Sequence, residues 1–202
     1  ACELKIGPGE DAVRGQTYRL SDGRTVQLIG TVDRADEWIE DDGTRWVRVV
    51  DYKTGSKKLD LREVYCGLDC QMLLYLFTLE RNGGHLFSQG TAAGVEYLWA
   101  DPAPENIIRP ETDDAEPLQA QNYPLEGLLL DEPSIYHAMD TRGTGAFVPL
   151  SFSAKTGEPT AQSAKARLAD REKFNRIRDH LDGMLTDMAK NLYSGEIDAA
   201  PL

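Results

Sequence analysis

Apolar and β-branched residues crowd residues 25–38 (Thr-Val-Gln-Leu-Ile-Gly-Thr-Val-Asp-Arg-Ala-Asp-Glu-Trp), and this run predicts a strand. Asp41-Asp42-Gly43 is a turn signal. Arg45 to Lys53 is again rich in Val, Trp and Tyr, so the two runs predict a hairpin, which Thr54-Gly55-Ser56 ends. The spacing of Leu68, Met72, Tyr75, Leu76 and Leu79 predicts a helix over 66–81 with one buried face. Ala93 to Trp99 predicts a third strand, 134–139 a short helix and 146–152 a short strand. A long helix is predicted over 161–193. Its apolar stripe is Phe174, Ile177, Leu181, Met184, Met188 and Leu192, and Gly195 is its stop. Nothing repeats internally. The pattern is that of one mixed α/β domain over 1–202.

Residues 101–126 break the pattern. They hold seven acidic residues against one basic residue, Arg109, together with five of the chain's ten prolines. This stretch reads as a long exposed, acidic, Pro-rich excursion.

Composition narrows the function. A chain of 202 residues is long enough for one large domain at about 150 residues per domain. It also buries enough surface to need no disulfide or metal staple. Thirty-four acidic against 22 basic residues give a net charge of −12. That balance argues against holding nucleic acid by bulk charge, because phosphate binding is driven by Lys and Arg. Any nucleic-acid chemistry must come from a local site. No apolar run approaches the roughly 20 residues of a membrane span, so no membrane partner is expected. The opening Ala-Cys-Glu-Leu-Lys has no signal-peptide character, and without an initiator Met the chain reads as part of something longer. Three cysteines, Cys2, Cys66 and Cys70, form no CxxC pair. Cys66 and Cys70 stand four apart on the predicted helix, where they could ligate a metal, but buried reduced thiols in a reducing cytoplasm fit better.

The chemistry-bearing residues are Asp33, Asp51 and Lys53. Asp51 and Lys53 share one face of their strand, at the end of the row begun by Val47 and Val49. Asp33 lies on the other arm of the hairpin. Two carboxylates converging from neighbouring strands make a hard-oxygen site suited to Mg²⁺ or Mn²⁺. A lysine beside them could orient a water or offset charge on a phosphate, as metal-assisted phosphodiester hydrolysis requires. The plain alternative is a cross-strand ion pair of Lys53 with Asp33 or Asp51. Gln71 and Tyr75 share a helix face that should pack beside this strand. There they either complete a site or, for Tyr75, belong to the core with the hydroxyl satisfied.

Three segments carry a resemblance: Gly30-Thr-Val-Asp33-Arg-Ala-Asp36, Val49-Val-Asp51-Tyr-Lys53-Thr-Gly55 and Gln71-Met-Leu-Leu-Tyr75. They resemble successive motifs of the RecB-type nucleases of the PD-(D/E)xK superfamily. Within it they resemble the AddB type, the C-terminal nuclease domain of the AddB chain of ATP-dependent helicase/nucleases. Leu61 to Leu68, Gly127 to Asp131, Ala138 to Asp140 and Tyr193 to Ile197 resemble that type as well, so the likeness runs nearly the length of the chain.

The resemblance implies a restriction-endonuclease-like α/β core, with a central mixed β-sheet flanked by helices. It implies that Asp33, Asp51 and the backbone carbonyl of Tyr52 hold Mg²⁺ (or Mn²⁺). Lys53 would position the attacking water and offset developing charge, and Gln71 and Tyr75 would support the lysine and the DNA strand. Asp36 would be structural, turned from the face of Asp33. Lys57, Lys58 and Arg62 follow closely as candidate DNA contacts.

The implied activity is that of a DNA exonuclease domain in double-strand-break repair and recombination. It would act on single-stranded DNA unwound by an AddA-type helicase–nuclease partner, since Gly55-Ser56-Lys57 is no P-loop. A nuclease-fold scaffold with an incomplete site and a stand-alone RecB-like exonuclease are the alternatives. Two departures stand out. The family's upstream helix with an acidic or histidine ligand has no counterpart in the 29 residues before Gly30, which read as loop and short strand. The resemblance implies a 4Fe-4S cluster on four cysteines in the intact subunit, but Cys66 and Cys70 do not match those positions, so this chain is not expected to build the cluster. His85, His137 and His180 are scattered and carry no assigned role.

Overall fold

The computed structural model describes residues 1–55, 58–84, 86–87, 89–99 and 125–196. From the N-terminus, β1 (Cys2–Ile6) precedes a small hairpin of β2 (Thr17–Arg19) and β3 (Thr25–Gln27), then a large one of β4 (Gly30–Ile39) and β5 (Arg45–Lys53). Two helices, α1 (Leu61–Tyr65) and α2 (Gln71–Asn82), lead to β6 (Thr91–Trp99). After them come β7 (Leu125–Leu130), α3 (Pro133–Met139), α4 (Ala161–Arg167), β8 (Leu168–Ala169) and α5 (Arg171–Ser194). Six strands form one mixed sheet in the order β1-β4-β5-β6-β7-β8. The β5–β6 and β7–β8 pairs are parallel and the others antiparallel. This is the mixed sheet flanked by helices that the resemblance implied.

The core follows from α2, which lies across β5 and β6. Met72, Leu73, Tyr75, Leu76, Phe77, Thr78 and Leu79 are all buried, so α2 is an interior helix rather than an amphipathic surface one. Phe77 meets Phe174 of α5 edge-on at 6.4 Å. β7 is apolar on both faces: Leu128 and Leu130 join the main core, while Leu129 points into a second cluster with Tyr136, Val148, Leu150 and Leu168.

Several expected elements are divided or displaced. The strand expected over 25–38 is cut at Leu28-Ile29. β3 pairs with β2, and β4 serves the main sheet, leaving Ile29 67% exposed. The helix expected over 66–81 begins only at Gln71, as α2, because Gly67 (φ 85°) and Asp69 (φ 52°) adopt left-handed conformations that no helix accommodates and turn the chain between α1 and α2. Leu68, expected on the buried face, is half exposed. Cys66 and Cys70 therefore share no helix: Cys66 is exposed and Cys70 buried. The strand expected at 146–152 is only a bridge of Phe152 to Pro159.

The true strand, β7, was hidden by the end of the acidic excursion. Residues 101–124 lie outside the described residues. The long helix breaks at Leu168-Ala169, which pair with Leu129 and Leu130 of β7, and Asp170 restarts it by capping the Lys173 amide at 2.7 Å. Met188 and Leu192, expected in the buried stripe, are exposed.

Candidate active site

The hairpin ladder explains where the carboxylates meet. β4 pairs with β5 only from Arg34–Val50 to Ile39–Arg45, and with β1 from Gly30 to Arg34. At Asp33 the strand thus changes partners and diverges from β5. The Tyr52 amide, released from the ladder, donates instead to Asp33 Oδ2 at 3.2 Å. Because the N–H and C=O of one strand residue point the same way, the Tyr52 carbonyl also faces Asp33. The divergence leaves Asp33 exposed and Asp51 nearly buried.

Lys53 completes the cluster. Its Nζ lies 2.5 Å from Asp51 Oδ2, and 5.7 Å from the centre of the Tyr97 ring beneath it. Asp51 Oδ2 is thus buried with the Lys53 ammonium as its charged neighbour. A carboxylate oxygen has more than one lone pair, so the ion pair does not exhaust its capacity for a cation. Tyr97 is fixed by donating its hydroxyl to Asp69 Oδ1 at 2.7 Å. Burial pushes the Tyr97 phenol well above its usual range, helped by the Asp69 carboxylate, so it remains a proton donor.

Gln71 and Tyr75 come together as the helical spacing requires: Gln71 Nε2 donates to the Tyr75 hydroxyl at 3.1 Å. Tyr75 is buried and sits directly over Gly30, the first residue of β4. Core packing and a satisfied hydroxyl therefore coexist with a place beside the diverging strands.

A second charged cluster involves Arg34, Asp36, Arg48 and Glu96. Asp36 accepts from Arg34 Nε (2.8 Å) and from Arg48 Nε (2.9 Å), while Arg48 donates to Glu96 Oε2 at 2.7 Å. Burial alone would raise the Asp36 carboxyl, but the two guanidinium groups outweigh it and hold it below the usual range. For Glu96, entirely buried, burial wins over Arg48 and pushes the carboxyl up to about 7. Asp36 thus serves this network. Of the candidate DNA contacts, Lys57 lies outside the described residues, Lys58 is exposed, and Arg62 is bound to Asp60 at 2.6 Å.

Two carboxylates and a carbonyl suit a hard divalent cation of the Mg²⁺ kind, which takes one or two protein carboxylates and keeps much of its water. Among the described residues no group of three His, Cys, Asp or Glu side chains could hold a metal. None of their helices is long and apolar enough to cross a membrane. Sequence reasoning missed Tyr97, Asp69, Glu96 and the seat at Gly30. Only for Glu96 was there a signal, an acid inside the apolar run of β6.

The family model for the PD-(D/E)XK nuclease superfamily matches residues 1–202. The B subunit of the ATP-dependent helicase/deoxyribonuclease of Symbiobacterium thermophilum is 32% identical over 204 residues, covering 100% of this chain and 17% of the relative. The protein of the same name from Thermoanaerobacter pseudethanolicus is 31% identical over 188 residues, covering 90% of this chain and 16% of its own length. That of Clostridium perfringens is 31% identical over 207 residues, covering 98% and 17%. The chain thus spans about a sixth of the length of these relatives.

Proposed function

The chain belongs to the PD-(D/E)XK nuclease superfamily, and from that premise we propose that it is a Mg²⁺- or Mn²⁺-dependent DNA nuclease domain of a helicase–nuclease complex. It cuts single-stranded DNA exonucleolytically, and the motor that feeds it belongs to other parts of the assembly, including an AddA-type partner. Its place in this reading is the cytoplasm, in double-strand-break repair and recombination. The observation that carries this reading is the divergence of β4 from β5 at Asp33, with the buried Asp51 carboxylate and the Lys53 ammonium paired at its mouth.

In this reading Asp33, Asp51 and the Tyr52 carbonyl hold the divalent cation. A cation so held supplies Lewis acidity toward the phosphodiester and neutralises charge on its oxygens. Lys53, held by Asp51 and by the Tyr97 ring, orients the attacking water and offsets the negative charge that grows on the phosphate. Gln71 and Tyr75 position the strand against the lysine, and Lys57, Lys58 and Arg62 contact its phosphates.

The test is degradation of end-labelled single-stranded DNA by the wild-type chain with and without Mg²⁺ or Mn²⁺, beside Asp51→Asn and Lys53→Ala. Cleavage that needs the metal and is lost in both variants is the expected result. Equal cleavage by all three proteins, or none by the wild type, overturns the assignment.

A further inference from the structure

Tyr65 at the end of α1 is 71% exposed, yet its ring lies flat on His180 of α5, with centroids 4.6 Å apart and planes 8° from parallel. One face of the ring is thus covered, and exposure this large requires the other to be open to solvent. The platform is held rigidly: His180 Nε2 also meets the Tyr65 carbonyl at 2.9 Å. Cys70 Sγ, at the start of α2, donates to the Val64 carbonyl at 3.6 Å and ties α1 down from its other side.

The stack borders a cavity of about 370 Å³ between α1 and α5, floored by Leu61, Val64 and Ile177 and rimmed by Lys173 and Arg176. Arg176 reaches Glu172 at 3.3 Å, while Lys173 has no ion-pair partner among the described residues. An open aromatic face, an apolar floor and a free cation suit a nucleotide: the base stacks on the ring and its phosphate meets the ammonium.

The position fits as well. α1 follows Lys53 after a few residues, and Arg62 and Tyr65, three apart on α1, share a helix face. The turn between α1 and α2 carries Asp69, which fixes the Tyr97 ring beneath Lys53.

We propose that the Tyr65–His180 stack is a base-stacking platform for single-stranded DNA, holding a nucleotide at the α1–α5 surface with Lys173 as its phosphate contact. It rests on the nuclease reading for the strand's identity, and it assigns a role to an aromatic pair and a cavity outside the Asp33–Asp51–Lys53 site.

The test uses a short single-stranded oligonucleotide carrying a fluorescent adenine analogue, bound to the 202-residue chain in chelator so that binding is read without cleavage. The wild type is expected to bind and quench the analogue. Tyr65→Ala should bind about tenfold more weakly and lose the quenching, while Tyr65→Phe, which keeps the ring, retains both. Tyr65→Leu keeps an apolar side chain without offering a ring and decides the matter if the alanine variant does not fold.

Unchanged binding and quenching in Tyr65→Ala or Tyr65→Leu, or no binding by the wild type, overturns the platform. Mg²⁺-dependent cleavage measured in parallel separates the two readings. Cleavage with a silent Tyr65 removes only the platform, whereas quenching without cleavage keeps the platform and removes the nuclease assignment.

Discussion

The ring of Tyr75 fills the space that a side chain on Gly30 would need: a Cβ there would stand 2.7 Å from Cε1 and 2.8 Å from Cζ. Gly30 lies three residues before Asp33, so one close approach joins the helix of Gln71 and Tyr75 to the strand of the first carboxylate. Gly30→Ala must push the ring aside. Overpacking of this kind costs about 1–3 kcal/mol, and displacing a positioning pair by an ångström costs about a hundredfold in rate. Thermal unfolding and single-strand cleavage, measured beside Tyr75→Phe, check both. Wild-type cleavage by a folded Gly30→Ala protein removes the positioning role.

Arg48 is the only cation bonded to the buried Glu96 among the described residues. At about pH 8, where Glu96 is ionised, Arg48→Met is expected to lose about 3–5 kcal/mol, because it strands a buried carboxylate. Adding Glu96→Gln should restore most of that loss by removing the charge itself. Denaturant unfolding of the single and double variants reads the coupling.

Glu96 also sets a pH dependence. Its carboxyl is raised by burial from 4.5 to about 7, so between those values the folded state holds a proton that the unfolded state has released. Its contribution is therefore complete below the unfolded value and is lost as pH rises through the folded one. Wild-type protein should lose stability relative to Glu96→Gln between about pH 5 and about pH 8, read from melting temperatures across that range. Parallel curves would refute the buried, raised carboxyl.

Asp140 is 1% exposed and gathers the loop that follows it. It accepts from the Gly145 amide at 2.7 Å, the Ala146 amide at 3.1 Å and the Thr144 hydroxyl at 3.1 Å. Burial would raise its carboxyl, but these hydrogen bonds prevail and hold it below the usual range. Asp140→Ala should cost about 1–3 kcal/mol and loosen the Val148–Leu150 cluster, seen as faster amide exchange over 142–150. Unaltered exchange there would show that the loop closes without it.

Much of the site was legible because it is local. Asp51 and Lys53 share a strand face through the period of two, and Gln71 and Tyr75 meet through the helical period of 3.6. The β4–β5 hairpin is announced by the turn signal at Asp41-Asp42-Gly43. The long helix was read straight through Leu168–Asp170, although its apolar stripe begins only at Phe174.

Other features were decided by partners far away in the chain. β7 is a run of Leu with no alternation, because both its faces are covered, and periodicity cannot mark such a strand. Leu168 and Ala169 leave the helical path because β7 offers them a ladder.

By itself, then, the sequence determined the local placement of its carboxylates, lysine and helix pair. Only the tertiary structure decided that β4 parts from β5 at Asp33, that Tyr75 rests on Gly30, and that Tyr65 stacks on a histidine 115 residues away. These are long-range contacts, fixed by packing and strand exchange, and no local period encodes them.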